Sequence, residues 1–252
     1  MIERVELLQA PAEWRALAPR HLADTTCVVL DILRATSTML TALAHGAARC
    51  VPVGEIDEAL AQRARDPGVL LAGEREGLRI MGTSANGADF DLGNSPRELD
   101  PARVRGRTIV ITTTNGTRAL RACTGAERVL LAAFLNLGAV ATRLRTLAPR
   151  RLLLVAAGTN DEAAFEDSLA AGALCDRLGS AIEDAYIGDA ARMARELYRA
   201  HSADLTAALA LSVNGQRLLA HAELAADVAF CARIDTLGIV AEMTPDGSAR
   251  IC

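Results

Sequence analysis

The stretch Cys27–Ser37, CVVLDILRATS, decides how this chain is read. Its apolar run shows no alternation with polar residues, as expected of a strand covered on both faces. Cys27–Asp31 is therefore read as a buried strand closed by an acid, and a helix follows from Thr36 to His45. Gly46 ends that helix, at a position where a left-handed cap suits glycine. A strand that ends in an acid and turns at once into a helix is the kind of unit at which open α/β sheets place their ligands.

The same alternation extends outward along the chain. Arg49–Val53 reads as a strand, Glu55–Arg65 as a helix and Val69–Gly73 as a third strand, before a long polar and glycine-rich stretch from Glu74 to Gly106. Strand and helix then resume as Thr108–Thr113 with Gly116–Cys123, Arg128–Ala133 with Leu137–Leu147, and Arg151–Ala156 with Ala163–Leu178. Asn136 stands as a natural N-cap of the helix that follows it. From about Ala185 to Arg233 the pattern is nearly all helical, and Gly238–Glu242 with Ser248–Ile251 suits a hairpin around Pro245–Asp246–Gly247. Alternating strands and helices imply right-handed crossovers. The fold class is α/β: three layers, α/β/α, with a largely parallel or mixed central sheet. Residues 1–252 read as one domain with a mainly helical C-terminal part from about 185.

Composition narrows the function classes. The chain has 252 residues, of which 51% are hydrophobic, enough for one sizeable core. A net charge of −4 argues against nucleic acid, and 3% aromatic residues supply no base-stacking platform. No apolar run approaches the roughly 20 residues that span a bilayer. The N-terminal MIERVELLQAPAEW lacks the basic-then-apolar pattern of a secretory signal, so the cytoplasm is the default location. The six cysteines form no CxxC pair and read as small buried hydrophobes. His21, His45, His201 and His221 are scattered and read as structural or surface groups.

Polar residues gather just after the strands. Asp31 leads into Arg34 and Ser37; Thr112–Thr117 reads TTTNGT; Asn136 follows one strand; Gly158–Thr159–Asn160 follows another; Glu166 and Asp167 open the next helix. In a parallel sheet these ends share one rim, where helix N-termini offer free N–H groups to phosphate. Glu74 also follows a strand, and Gly93–Pro96 reads as a helix start capped by Asn94 or Ser95. Each residue has a plain alternative as a cap, a turn or a solvated charge; their convergence on one rim favours a site. Asp31, Arg34, Glu166 and Asp167 are the catalytic candidates. Ser37, Asn94, Ser95, Thr114, Asn115, Gly116, Thr117 and Asn136 are the candidates for phosphate and substrate binding. Asp31, Glu74 and Asp167 are the candidate ligands of Mg²⁺, which takes oxygen donors and keeps several waters. Arg34 could grip an anionic group through its bidentate fork. The partner expected is a small anionic phosphate ester, with neither nucleic acid nor membrane, and a homodimer is possible.

Several phosphatase chemistries find no support. There is no Cx₅R loop, no GxxxxGK[ST] and no GxGxxG after the first strand. The DxDxT of haloacid-dehalogenase phosphatases is approached only at Asp31–Ala35, where Leu33 replaces the second acid. An enzyme of that kind with Asp31 as nucleophile, and a non-catalytic anion-binding module, remain the alternatives.

The segments DILRATS at 31–37, GEREG at 73–77, GNSP at 93–96, TTTNGT at 112–117, Asn136, Ala157–Gly158, Glu166–Asp167, Asn214–Gly215, Leu218, Asp227–Val228 and Phe230–Cys231–Ala232 occur in that order. This set resembles the 2-phosphosulfolactate phosphatases, the ComB family, over nearly the whole chain. One departure is Met81–Ser84 before Asp89–Phe90–Asp91, where a shorter glycine-rich link is expected. The resemblance implies a Mg²⁺-dependent enzyme that cleaves (R)-2-phospho-3-sulfolactate to 3-sulfolactate and phosphate, a step of coenzyme M biosynthesis. It also implies a three-layer fold distinct from the common phosphatase folds.

Overall fold

The computed structural model describes residues 1–18, 22–82 and 89–252; His21, Thr83 and Ser84 lie outside these. Among the described residues, eleven strands form one sheet in the order β5-β4-β6-β3-β11-β10-β7-β2-β8-β1-β9. They are β1 (Arg4–Leu8), β2 (Thr25–Leu30), β3 (Arg49–Val53), β4 (Leu70–Arg75), β5 (Leu78–Arg79), β6 (Thr108–Thr112), β7 (Arg128–Ala132), β8 (Arg151–Ala156), β9 (Tyr186–Ile187), β10 (Ala241–Met243) and β11 (Ala249–Ile251). The helices that matter for the site are α2 (Ala35–Ala44), α3 (Ile56–Arg65), α5 (Gly116–Ala122), α6 (Leu137–Leu147), α7 (Phe165–Leu178), α8 (Asp189–His201), α9 (Leu205–Leu211), α10 (Val213–Leu219) and α11 (Ala226–Cys231), with the short α1 (Pro11–Arg15) and α4 (Pro101–Val104) beside them.

The fold is three-layer α/β. Both faces of the sheet are covered, and side chains alternate between two cores along one strand. In β6, Ile109 and Ile111 join the main core, while Val110 packs with Val53, Ala59, Leu71 and Phe90 into a smaller one beneath α3. All six residues of β2 are buried, as the unbroken apolar run required. β1 is a strand that the reading from Cys27 onward omitted. Only Val5 and Leu7 of its five residues are buried, and it pairs in parallel with β8 and with the two-residue β9.

The sheet is mixed, not one parallel rank. β4, β6 and β3 run parallel to one another, as do β7, β2, β8, β1 and β9. The β10–β11 hairpin joins the two blocks through three antiparallel pairings, so the blocks run in opposite senses. In a flat sheet their carboxyl ends would lie at opposite rims. The segments that leave β6 and β2 nevertheless meet: a Cβ added to Gly116, four residues past β6, would lie 2.2 Å from Asp31 Oδ2, just after β2.

Asn136 sits where an N-cap of α6 is expected, but its side chain turns back into the core. Its Oδ1 accepts the Ala133 N–H, and its Nδ2 donates to Leu131 O and Ile239 O, tying β7 to the chain entering the hairpin. The hairpin turns at Asp246–Gly247, with Gly247 at φ 77° and Asp246 Oδ1 accepting from Ser248. Burial pushes the thiols of Cys50, Cys175 and Cys231 up to about 12, so these cysteines behave as core residues.

α7 and α8 pack backbone to backbone. A Cβ on Gly172 would lie 1.9 Å from Ala194 O, closer than any real contact. Gly172→Ala is expected to force the two helices apart and to cost about 1–3 kcal/mol, read as a lowered midpoint in chemical denaturation. An unchanged midpoint would mean the helices separate freely.

Candidate active site

Asp31 leaves β2 and turns immediately into α2. Its Oδ1 accepts the Ala35 N–H at 2.9 Å. The Thr36 hydroxyl accepts the Asp31 N–H and lies 2.8 Å from both Asp31 O and Ala132 O, which binds the turn to β7. Oδ2 has no hydrogen-bond partner among the described residues and rests against Gly116, where no larger residue fits.

Four strand ends, those of β2, β8, β6 and β4, are laced together around this carboxylate. Asp167, in the first turn of α7, accepts the Ile32 N–H at 2.8 Å on Oδ1 and the Gly158 N–H at 3.1 Å on Oδ2. Asn115, between β6 and α5, donates through Nδ2 to Gly158 O at 2.9 Å and Asn160 O at 3.1 Å. Glu74, at the end of β4, accepts from Thr114 N at 2.8 Å and Thr114 Oγ1 at 3.0 Å on Oε1, and from Gly77 N at 2.8 Å on Oε2. Glu166 is buried and accepts at 2.7 Å from Asn214 Nδ2, which also donates to Thr159 Oγ1.

These groups surround a small cleft of about 50 Å³. Of the candidates read from the sequence, Asp31, Arg34, Glu74, Asn94, Thr114 and Asn115 line it, and Gly116 adjoins it at Asp31. Glu166 and Asp167 lie behind the lining. Four expected phosphate contacts are engaged elsewhere. Ser37 donates to Ile32 O, Thr117 bonds back to Thr113, Ser95 donates to Asp227, and Asn136 is used by the hairpin. Short polar side chains beside a strand end satisfy the nearest backbone group first, and that is what removes them from the cleft.

Arg34 also differs from its expected role. It is buried, with Nη1 donating to Asp227 Oδ2 at 2.6 Å and Nη2 to Gly77 O at 2.6 Å. Asp227 is fully buried and accepts from Ser95 as well. The cleft has further lining residues that the sequence reading did not single out for chemistry, among them Asn214 and Arg217 of α10. Their signal was the proximity of Asn214–Gly215 and Leu218, which marks the helix but not the face it turns to the cleft.

Three of the buried carboxylates in this region are raised. Burial is the main cause that raises Asp31 to about 7; the charges of Glu74 and Glu166 add to it, while the Ala35 amide and Arg34 oppose it. Asp167 is held well above the usual carboxylate range by burial, then by Glu166 and Asp31. Glu166 is raised by burial against the bond from Asn214.

Among the described residues, no group of three His, Cys, Asp or Glu side chains is placed to hold a metal. The set Asp31, Glu74 and Asp167 therefore does not form a cage; Asp31 and Glu74 line the cleft, whereas Asp167 lies behind it, holding the Ile32 and Gly158 amides. A sparser donor set exists in the cleft. Asn94 Oδ1 is buried with no hydrogen-bond partner among the described residues, and it shares the cleft with Asp31 and Glu74. One or two carboxylates with a neutral oxygen suit Mg²⁺, which completes its shell with water and phosphate oxygens.

Residues 14–246 match the 2-phosphosulpholactate phosphatase family. The chain belongs to that family. It is 40% identical over 226 residues to a protein of Symbiobacterium thermophilum, covering 89% of this chain and 93% of that one. It is 37% identical over 240 residues to a protein of Caldanaerobacter subterraneus subsp. tengcongensis, covering 94% and 95%. It is 40% identical over 230 residues to a protein of Deinococcus radiodurans, covering 91% of each. All three relatives carry the name "Probable 2-phosphosulfolactate phosphatase". No helix among the described residues is long and apolar enough to cross a membrane.

The raised carboxylates of this family member set a pH dependence of stability. Asp31 keeps its proton in the folded state up to about 7, whereas the unfolded chain releases it near the ordinary value of 3.8. The stability contributed by protonated Asp31 is thus complete below about pH 4 and is lost as pH rises towards 7. Thermal unfolding of the metal-free protein between pH 4 and 8 is expected to show this decline, and Asp31→Asn to flatten it. A decline of equal slope in the variant would assign the effect to other groups. Asn136→Ala, by contrast, is expected to destabilise by about 1–3 kcal/mol through unpaired buried backbone groups, with the folded fraction still binding phosphate.

Proposed function

We propose that this chain is a phosphoric monoester hydrolase whose substrate is 2-phosphosulfolactate and whose cofactor is Mg²⁺. The observation that carries the reading is the Asp31 carboxylate. It is buried at the meeting point of two strand ends, leaves one oxygen free, and titrates near neutrality in a cleft with Glu74 and an unpartnered Asn94 oxygen. The names of the relatives, at 37–40% identity over nearly the whole chain, support the same reaction and substrate.

Asp31, Glu74 and Asn94 Oδ1 are the residues that would hold Mg²⁺. When bound, the ion would offset the phosphate charge and polarise the ester bond. The rest falls to the chain. The Asn115 and Gly116 N–H groups, unpaired among the described residues, are free to bind phosphate oxygens at the start of α5. Burial, with the charges of Glu74 and Glu166, keeps Asp31 protonated when the cleft is empty, and Asp167 fixes from behind the turn that presents it.

A second reading makes Asp31 the nucleophile, since Oδ2 is free to attack phosphorus. The partly apolar wall at Leu33 supplies no second acid to protonate the leaving group in that scheme, which favours water as the attacking species. A pure anion binder gains nothing from carboxylates buried beside its ligand.

Purified protein is expected to release phosphate from 2-phosphosulfolactate only with Mg²⁺, and Asp31→Asn to lower kcat by roughly 10²-fold or more with the fold intact by circular dichroism. If the wild type with Mg²⁺ releases phosphate neither from this ester nor from p-nitrophenyl phosphate, the binding-module reading stands instead. Because ligation must displace the Asp31 proton, Mg²⁺ affinity measured by calorimetry is expected to rise as pH is raised towards 7 and then to level off. A flat profile removes Asp31 from the metal.

A further inference from the structure

The two arginines of the cleft are in opposite states. Arg34 is paired with Asp227 and with Gly77 O. Arg217 is half-buried, lines the same cleft, and makes no hydrogen bond or ion pair with any described residue. Its position is nonetheless built. Asn214, three residues earlier on the same helix face, anchors α10 through its bonds to Thr159 and Glu166. The Arg217 stem passes over Gly77, where a Cβ would lie 3.7 Å from Arg217 Cδ. Gly77 has φ 83°, so this crossing falls at a position suited to glycine in any case.

The charge balance indicates what the free guanidinium meets. Asp31 and Glu74 line the cleft, and Glu166 lies behind it; Arg34 is already neutralised by Asp227. Among the described residues lining the cleft, Arg217 is the cation that makes no ion pair, although its charge also acts on the buried Glu166. An ester of sulfolactate carries a carboxylate and a sulfonate besides the phosphate that leaves. The phosphate is assigned above to the Asn115–Gly116 amides and the cation, which leaves the other acid groups to be matched. A planar guanidinium fork pairs two oxygens of a carboxylate or sulfonate at once.

We propose that Arg217 is the clamp for the non-transferred acid group of the substrate, and so the residue that selects a sulfolactate ester over an uncharged one. This rests on the phosphatase reading for the identity of the substrate, but not for the existence of the anion site.

Equilibrium binding of 3-sulfolactate, the alcohol left after phosphate is removed, tests it without turnover. Calorimetry on Arg217→Ala is expected to show a loss of roughly 10²-fold for 3-sulfolactate and a clearly smaller loss for inorganic phosphate. Arg217→Lys, which keeps the charge without the fork, is expected to fall between the two and serves if the alanine variant does not fold. Lactate and isethionate, each lacking one acid group, show which group is held: the ligand whose affinity is insensitive to the substitution lacks the partner of Arg217. Unchanged 3-sulfolactate affinity in Arg217→Ala, or equal losses for 3-sulfolactate and phosphate, overturns the proposal. A wild type that binds 3-sulfolactate through Arg217 but cleaves no phosphate ester overturns the phosphatase reading and leaves the clamp standing.

Discussion

The contact of the Asp31 carboxylate with the Cα of Gly116 is the constraint on which the site depends. It occurs where the ends of β2 and β6 meet, although those strands belong to blocks of opposite sense. Any side chain at 116 would drive the carboxylate out or part the strand ends, because its first carbon would stand 2.2 Å from Oδ2 and 2.5 Å from the Ala35 Cβ. Around that contact the backbone is fastened by buried polar side chains: Asp167 to Ile32 and Gly158, Asn115 to Gly158 and Asn160, Glu74 to Thr114 and Gly77. Side chains that look like ligands in the sequence thus do two jobs, and for some only the structural one survives.

The Arg34–Asp227 pair shows the same division. A buried ion pair is weak evidence of net stability, since desolvation offsets much of the attraction, but losing one partner leaves an uncompensated charge. Here the pair joins α2 to α11 across 193 residues, with Ser95 and Gly77 O completing the network. It fixes the wall of the cleft beside Arg217, and its saturation is what leaves Arg217 as the available cation.

The elements around the site were legible because their residues obey local rules. CVVLD is buried on both faces and shows no alternation; Gly46 has φ 92° after α2; Ser95 accepts the Arg97 N–H ahead of Pro96 as a cap should. β1 escaped because Arg4–Leu8 buries only alternate residues near the sheet edge, so its apolar signal is half that of β2. Asn136 misled because a capping residue and a core-tethering residue look alike until the direction of the side chain is known.

The sequence by itself determined the class of fold, the order of the main strands and helices between residues 27 and 178, and the small set of polar residues that follow strands. These depend on spacing and on neighbours in the chain, which a sequence displays. Only the tertiary structure decided that the sheet is two opposed parallel blocks joined by a C-terminal hairpin, that Arg34 is spent on Asp227, and that Arg217 faces the cleft. Those outcomes depend on strand pairing and on partners up to 193 residues apart, and neither leaves a local pattern to read.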